Sequence, residues 1–202
     1  MYNRTIKEFN DVLKSKEPVP GGGSCSALAG ALSSCLSTMA INLTYGKKKY
    51  LEYDNRLEEL AKQLNYLDGK LLESINDDAK AFYPLSKAYS MDRNDPKYFS
   101  ILEKCLQDAA IPPFSIMKYS AKVIEIDYEL KDITSKLMVS DVGTSCMLAL
   151  GALKGAYLNV LVNTKLMKDR EYATNLENLA RKILDKYSSL AERTYDVVLE
   201  RL

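Results

Sequence analysis

Two stretches of this chain are almost free of charge. From Ser24 to Gly46 there is no Asp, Glu, Lys or Arg. In "SDVGTSCMLALGALKGAYLNVLVNTKLM", which begins at Ser140, Lys154 is the only charge between Asp141 and Lys165. Each stretch is long enough, as a helix, to span a bilayer. Both are rich in Ser, Ala, Gly, Thr and Asn, a mixture that inserts weakly into lipid. The competing reading is a helix enclosed on all sides in a soluble bundle. Gly151 and Gly155, Ala152 and Ala156, and Ala27 and Ala31 each lie four residues apart. Small residues at that spacing let two helix backbones approach closely. We read the two stretches as central helices packed on each other, with a membrane pair as the alternative.

The rest of the chain keeps helical spacing, and no alternating β-branched run suggests a strand. Thr5 to about Lys16 is a first helix, with Ile6, Phe9, Val12 and Leu13 on one face. Pro18 and Pro20 end it, and Ser24 is expected to cap the helix that runs to about Tyr45. Gly46 is placed to stop that helix. From about Tyr50, Leu57, Leu60, Leu64, Leu67, Leu71 and Ile75 mark a long helix that Pro84 should end or kink. "MDRNDP" reads as a loop. A helix over about Lys97 to Gln107 and another from Pro112-Pro113 to about Leu130 are expected next. The last runs from about Glu171 to Leu202. The expected fold is all-α, one domain over 1–202, an antiparallel bundle of roughly six to eight helices with the two small-residue-rich helices central. A chain of 202 residues has little to spare for covering two such helices, so a two-fold homodimer is expected to hide the remaining face.

Composition narrows the chemistry. Lys and Arg total 28 against 27 Asp and Glu, so there is no basic face for nucleic acid. The chain has no histidine. The cysteines, Cys25, Cys35, Cys105 and Cys146, form no C-x-x-C pair. A Cys/His zinc site and a Ser-His-Asp triad are therefore excluded as expectations. Scattered thiols among apolar neighbours suit a reducing compartment. "MYNRTIKEFNDVLKSKEP" is too charged for a signal peptide. A cytoplasmic protein is expected, with no membrane or nucleic-acid partner and no metal.

Acid–base work must then fall to Asp, Glu, Lys, Tyr or Cys. Adjacent Asp77 and Asp78 point in different directions on a helix, so one of them is expected to face the interior with a raised pKa. Gly21-Gly22-Gly23-Ser24 opens a helix and reads either as an anion site or as a tight entry turn. Lys47-Lys48-Lys49, at the other end, reads as a solvated terminus or a docking point for a string of carboxylates. Asp141 is most simply an N-cap. Asn159 and Asn163 share a face one turn apart, and Asn42 lies in the other uncharged helix. Buried amides need partners: each other, or the hydrogen-bonding edge of a heterocycle.

Together these segments resemble a known family. "PVPGGGSCSALAGALSSCLSTMAINLTYGKKKY" is similar to the opening of the cyclodeaminase domain of the formiminotransferase-cyclodeaminase family, which stand-alone methenyltetrahydrofolate cyclohydrolases share. "DDAKAF" resembles its D-A-x-A-F segment, "AAIPP" its A-x-x-x-P helix start, and "SDVGTSCMLALGALKGAYLNVLVN" its S-D…A-x-x-N-V-x-x-N signature. Where the family usually carries a Gly-Asn pair before Ser140, this chain reads "TSKLMV". The resemblance implies an all-helical homodimer acting without metal or cofactor on one-carbon tetrahydrofolates, polyglutamylated forms included. It implies closure of 5-formiminotetrahydrofolate to 5,10-methenyltetrahydrofolate with release of ammonia, or hydrolysis of the methenyl compound to 10-formyltetrahydrofolate. A folate-binding protein without catalysis is a third reading. On this resemblance Asp78 would be the acid–base group and Asp141 a charge stabiliser. The glycine loop, Ser24 and Asn42 would shape the substrate pocket, Asn159 and Asn163 would orient the pterin, and the lysines would hold the glutamate tail.

Overall fold

The structure is a computed structural model that describes residues 3–202. Met1 and Tyr2, the start of the stretch read against a signal peptide, lie outside the described residues. Among the described residues there are six α-helices and no strand. They are α1 (Ile6–Leu13), α2 (Gly22–Asn42), α3 (Asp54–Ala88), α4 (Tyr98–Ile133), α5 (Val139–Thr164) and α6 (Arg170–Arg201). The expected all-α bundle is what the chain forms.

Leucines at three- and four-residue steps bury one face of α3, with Leu57, Leu60, Leu64, Leu67, Leu71 and Ile75 all in the core. α2 packs antiparallel to α3: Ser24 meets Asp78 near one end, and the Ser34 hydroxyl donates to the Leu64 carbonyl (2.7 Å) further along. α2 also packs antiparallel to α5, with Ser26 beside Gly155 and Ser33 beside Ser145. α4 lies behind this layer and contacts α2, α3, α5 and α6. Ala27, Ala31, Ala152 and Ala156 are buried, which bears out a close contact of small residues. The glycines divide the work differently from expectation. A Cβ on Gly155 would stand 2.5 Å from the Ser26 hydroxyl, whereas one on Gly151 would meet open space.

Several boundaries differ from the sequence reading. α1 ends at Leu13, about three residues early, and only Phe9 of its expected apolar face is buried. α2 begins at Gly22 with Gly21 as N-cap, so Ser24 lies inside the first turn. It ends at Asn42, and Gly46 instead occupies a left-handed turn position (φ 72°) beyond it. Pro84 lies inside α3 without ending it, and Pro112 and Pro113 lie inside one continuous α4. A proline frees the carbonyl four residues back. For Pro113 that carbonyl belongs to Ala109, and the Asn163 side chain of α5 donates to it at 3.0 Å. A tertiary hydrogen bond thus replaces the missing helical one, a compensation that local sequence rules do not see.

α2, and the stretch from Lys136 through α5 to Thr164, are long and apolar enough to cross a membrane, but 56% and 50% of these windows are buried within the fold. Their outer faces carry Leu32 and Met39 on α2, Leu43 at its C-cap, and Leu158 and Val162 on α5, all exposed.

Candidate active site

The start of α2 is built by glycine. "PVPGGG" arrives through a cis Val19–Pro20 peptide and enters the helix at Gly22. Gly21 has extended backbone, so no left-handed conformation calls for glycine here. What does is the approach of another side chain. A Cβ on Gly23 would fall 2.0 Å from Asp78 Oδ1, and one on Gly22 would fall 3.0 Å from Asn159 Nδ2. The first turn of α2 is therefore packed directly against a carboxyl group from α3 and an amide from α5.

Asp78 is the interior member of the acidic pair, half-buried, while Asp77 is exposed. The Ser24 hydroxyl donates to Asp78 Oδ2 at 2.8 Å and also approaches the Ile75 carbonyl at 3.2 Å. Burial pushes the Asp78 carboxyl above its ordinary value, and the hydrogen bonds from the Ser24 hydroxyl and backbone N–H only partly offset this. The free N–H groups of a helix start favour an anion. Here the protein supplies one itself, so the anion site expected of the glycine loop is at least partly taken by Asp78. Ser24, expected to cap its own helix, instead holds the carboxyl of a neighbour.

A pocket of about 150 Å³ opens at this point. Gly21, Gly22, Gly23, Asp78, Asn159 and Asn163 line it, with Pro18, Val19, Phe82, Ala109 and Val162 as its apolar walls. The two asparagines do share a face, as their spacing requires. Their N–H groups are turned to backbone carbonyls: Asn159 donates to Gly155 (2.9 Å), and Asn163 donates to Asn159 (2.9 Å) and Ala109 (3.0 Å). That fixes both amide planes and leaves their oxygens as acceptors beside the pocket. A carboxyl raised by burial beside fixed amide acceptors can give or take a proton next to a ligand rich in N–H groups.

The other expected residues do not reach this pocket within one chain. Asn42 is exposed, not a buried amide, and lies at the opposite end of α2, a helix of 21 residues, which spans ~30 Å. Lys47, Lys48 and Lys49 follow it. Lys47 donates to the Ser135 hydroxyl at 3.2 Å, and Lys49 stands over the Tyr50 ring. Asp141 is not an N-cap: Met138 is, and Asp141 sits half-buried in the first turn of α5. It is 18 positions from Asn159, or ~27 Å of helix. Antiparallel packing of α2 and α5 gathers Asn42, the lysines and Asp141 at one end of the bundle and the Asp78 pocket at the other. Among the described residues, no group of three or more Cys, Asp or Glu is placed to hold a metal ion.

The sequence reading missed a second polar centre. Asp127 of α4 is fully buried. It accepts hydrogen bonds from Ser37 and, at 2.9 Å, from Ser145, while Ser33 lies 3.0 Å from Ser145. Burial pushes this carboxyl up to about 8 against the pull of the two serines. The signal was present as Ser33 and Ser37, one turn apart on α2, but their acidic partner lies on another helix, 90 residues from Ser37.

Comparison with known proteins bears on the family and the fold. The profile of the formiminotransferase-cyclodeaminase family matches residues 5–182. A methenyltetrahydrofolate cyclohydrolase from Methylorubrum extorquens is 31% identical, the match covering 99% of this chain and 98% of that one. A formimidoyltransferase-cyclodeaminase from Dictyostelium discoideum is 27% identical across all of this chain, which spans 37% of its length. The crystal structure of a formiminotetrahydrofolate cyclodeaminase from Thermotoga maritima superposes with a TM-score of 0.86 at 24% identity, covering 99% of this chain and 96% of that one, a likeness of fold. By the extent of the family match and the full-length relative, this chain belongs to the formiminotransferase-cyclodeaminase family.

Proposed function

We propose that the protein is a formiminotetrahydrofolate cyclodeaminase, closing 5-formiminotetrahydrofolate to 5,10-methenyltetrahydrofolate with release of ammonia. The observation that carries this is Asp78: a carboxyl raised by burial, held by Ser24 and facing a pocket lined by two fixed asparagines. Attack of one substrate nitrogen on the formimino carbon gives a tetrahedral centre between two nitrogens, carrying an amino group. That group leaves well only when protonated, and Asp78 in its acid form supplies the proton. The product is a cation, so the carboxylate left behind favours it electrostatically. The oxygens of Asn159 and Asn163 accept from the pterin's N–H edge. The tetrahydrofolate is the substrate, and the reaction calls on no resident cofactor or metal.

A second reading has its own support. The relative of matching length, 98% covered, is a methenyltetrahydrofolate cyclohydrolase. In that reaction Asp78 as its anion takes a proton from the water that adds to the methenyl carbon, so one carboxyl serves both directions of proton flow. Following methenyl absorbance separates the two. A rise with 5-formiminotetrahydrofolate shows cyclodeaminase, and accelerated loss of the methenyl compound without that rise shows cyclohydrolase. Silence in both refutes a folate enzyme.

The exposed leucines of α2 and α5 support a two-fold homodimer closing over that face, and sedimentation of a stable monomer would refute it. The free thiols suit a cytoplasmic setting.

A further inference from the structure

The lysines expected to hold the acidic tail of a folate lie ~30 Å of helix from Asp78. A nearer partner for that end of the substrate is present. Val19 is a shared wall: on its inner side is the Asp78 pocket, and on its outer side a second pocket of about 400 Å³ lined by Val19, Asn76, Ala79, Lys80, Tyr83 and Pro84. One helix forms a wall of both. Asp78 and Phe82, four apart on α3, face inward, and Asn76, Ala79, Lys80 and Tyr83 follow the adjacent stripe outward. The outer pocket's walls are mostly apolar, with an aromatic ring that is 49% exposed. One ammonium group stands over that ring, and a second lines the pocket. Lys87 Nζ stands 4.5 Å from the Tyr83 ring centroid. Lys80 is exposed, its partner Asp77 being 4.0 Å away and itself exposed. An ion pair that long and solvated competes weakly with a bound anion.

We propose that this outer pocket is the subsite for the aminobenzoyl-glutamate arm of the substrate. This rests on the folate reading above. The arm is a flat aryl amide ending in carboxylates. It needs an apolar wall, a ring to lie against and cations beyond it, in that order outward from the reacting centre. Val19, Tyr83 and, one turn further along α3, Lys87 supply that order, with Lys80 as a second cation in the pocket lining. Binding energy from this arm holds the pterin against Asp78, so losing it weakens substrate binding rather than proton transfer.

The test is steady-state kinetics on the intact protein with two forms of the active one-carbon substrate, one carrying a single glutamate and one truncated to the pteroate. For Tyr83→Ala, KM rises about tenfold for both forms, while Tyr83→Phe stays near wild type. For the double variant Lys80→Ala/Lys87→Ala, KM rises about fivefold for the glutamate form alone, and added salt erases the difference. An unchanged KM in Tyr83→Ala, or an equal rise for both forms in the double lysine variant, overturns the subsite. These positions are solvent-facing, and an unshifted melting temperature separates lost binding from lost folding. If the wild type turns over no tetrahydrofolate, the functional reading itself fails and the subsite with it. An active wild type with indifferent variants refutes the subsite alone.

Discussion

Asp78 and Asp127 each accept a hydrogen bond from a serine of α2, and burial raises the carboxyl of each. Ser24 and Ser37 are 13 positions apart, ~20 Å along the helix. The difference lies in what completes the surroundings. Around Asp78 the small side chains of Gly21, Gly22 and Gly23 leave a pocket open to a ligand. Around Asp127, Ser37 and Ser145 fill the equivalent space, and the group is sealed among α2, α4 and α5. A neutral acid suits that enclosure. It brings one hydrogen of its own to a cluster whose hydroxyls would otherwise surround a bare charge. The same residue type thus faces a pocket where glycine makes room and is a structural pin where serine closes in.

The sharpest break of this comparison is to neutralise each carboxyl in turn. Asp78→Asn is expected to lower turnover by a factor of roughly 10² to 10⁴, the usual worth of a positioned acid or base, with little change in melting temperature. Asp127→Asn keeps the shape of the neutral acid and is expected to leave kcat within roughly threefold of wild type, since it touches no ligand. Equal activity in wild type and Asp78→Asn would remove the acid–base assignment.

Next comes the space that glycine leaves. Gly23→Ala places a methyl group where Asp78 Oδ1 now lies. The carboxyl must move, and a shift of about 1 Å at a reacting group costs roughly 10² in rate. Gly69→Ala on the exposed side of the same α3 meets nothing within 4 Å. It is expected to keep full activity and add about 0.5–1 kcal/mol of stability through helix propensity. Circular dichroism and turnover on the two variants decide whether glycine matters for fit or for helix stability.

The buried pin is read through pH. Unfolded, Asp127 titrates near ~3.9; folded, it titrates at about 8. Between those values folding takes up a proton, so this group's contribution to stability falls as pH rises, by up to about 1.4 kcal/mol per pH unit. Above about 8 the fall levels off. Denaturant unfolding from pH 5 to 9 is expected to show this slope in wild type and a flatter profile in Asp127→Asn. Parallel profiles would mean that Asp127 is ionised in the folded core.

How much of this the sequence discloses depends on the range of the interaction. Leucine spacing on α3 and small residues on α2 and α5 are local or single-contact features, and both were legible. The continuity of α4 through Pro112 and Pro113 was not, because the partner of the freed Ala109 carbonyl, Asn163, is 54 residues away. Asp78 and the glycine turn were legible as candidates because each has a chemical peculiarity of its own. Asp127 has none: "EIDYELKD" looks like any amphipathic helix, and only the packing of three helices singles it out. Asp141 and Lys47 to Lys49 were grouped with Asp78 by motif, and helix length then separated them.

The smallest effect tests whether serine tunes the Asp78 carboxyl as well as placing it. The Ser24 hydroxyl donates to Asp78 and favours its anion, opposing the upward push of burial. Removing it in Ser24→Ala leaves burial unopposed on that side, so the carboxyl rises further. A reaction that needs the acid form loses rate on the alkaline side as Asp78 deprotonates, and in Ser24→Ala that limb moves to higher pH. A reaction that needs the anion gains rate through the same ionisation, and its acidic limb moves in the same direction. The direction of the shift therefore tests the hydrogen bond, and the limb that shifts shows which proton transfer the enzyme performs. Ser37→Ala, a like truncation 13 residues along the same helix, alters the stability profile of Asp127 and leaves both kinetic limbs in place. If Ser24→Ala leaves the limbs unmoved while Ser37→Ala displaces them, the roles assigned to the two carboxyls are reversed.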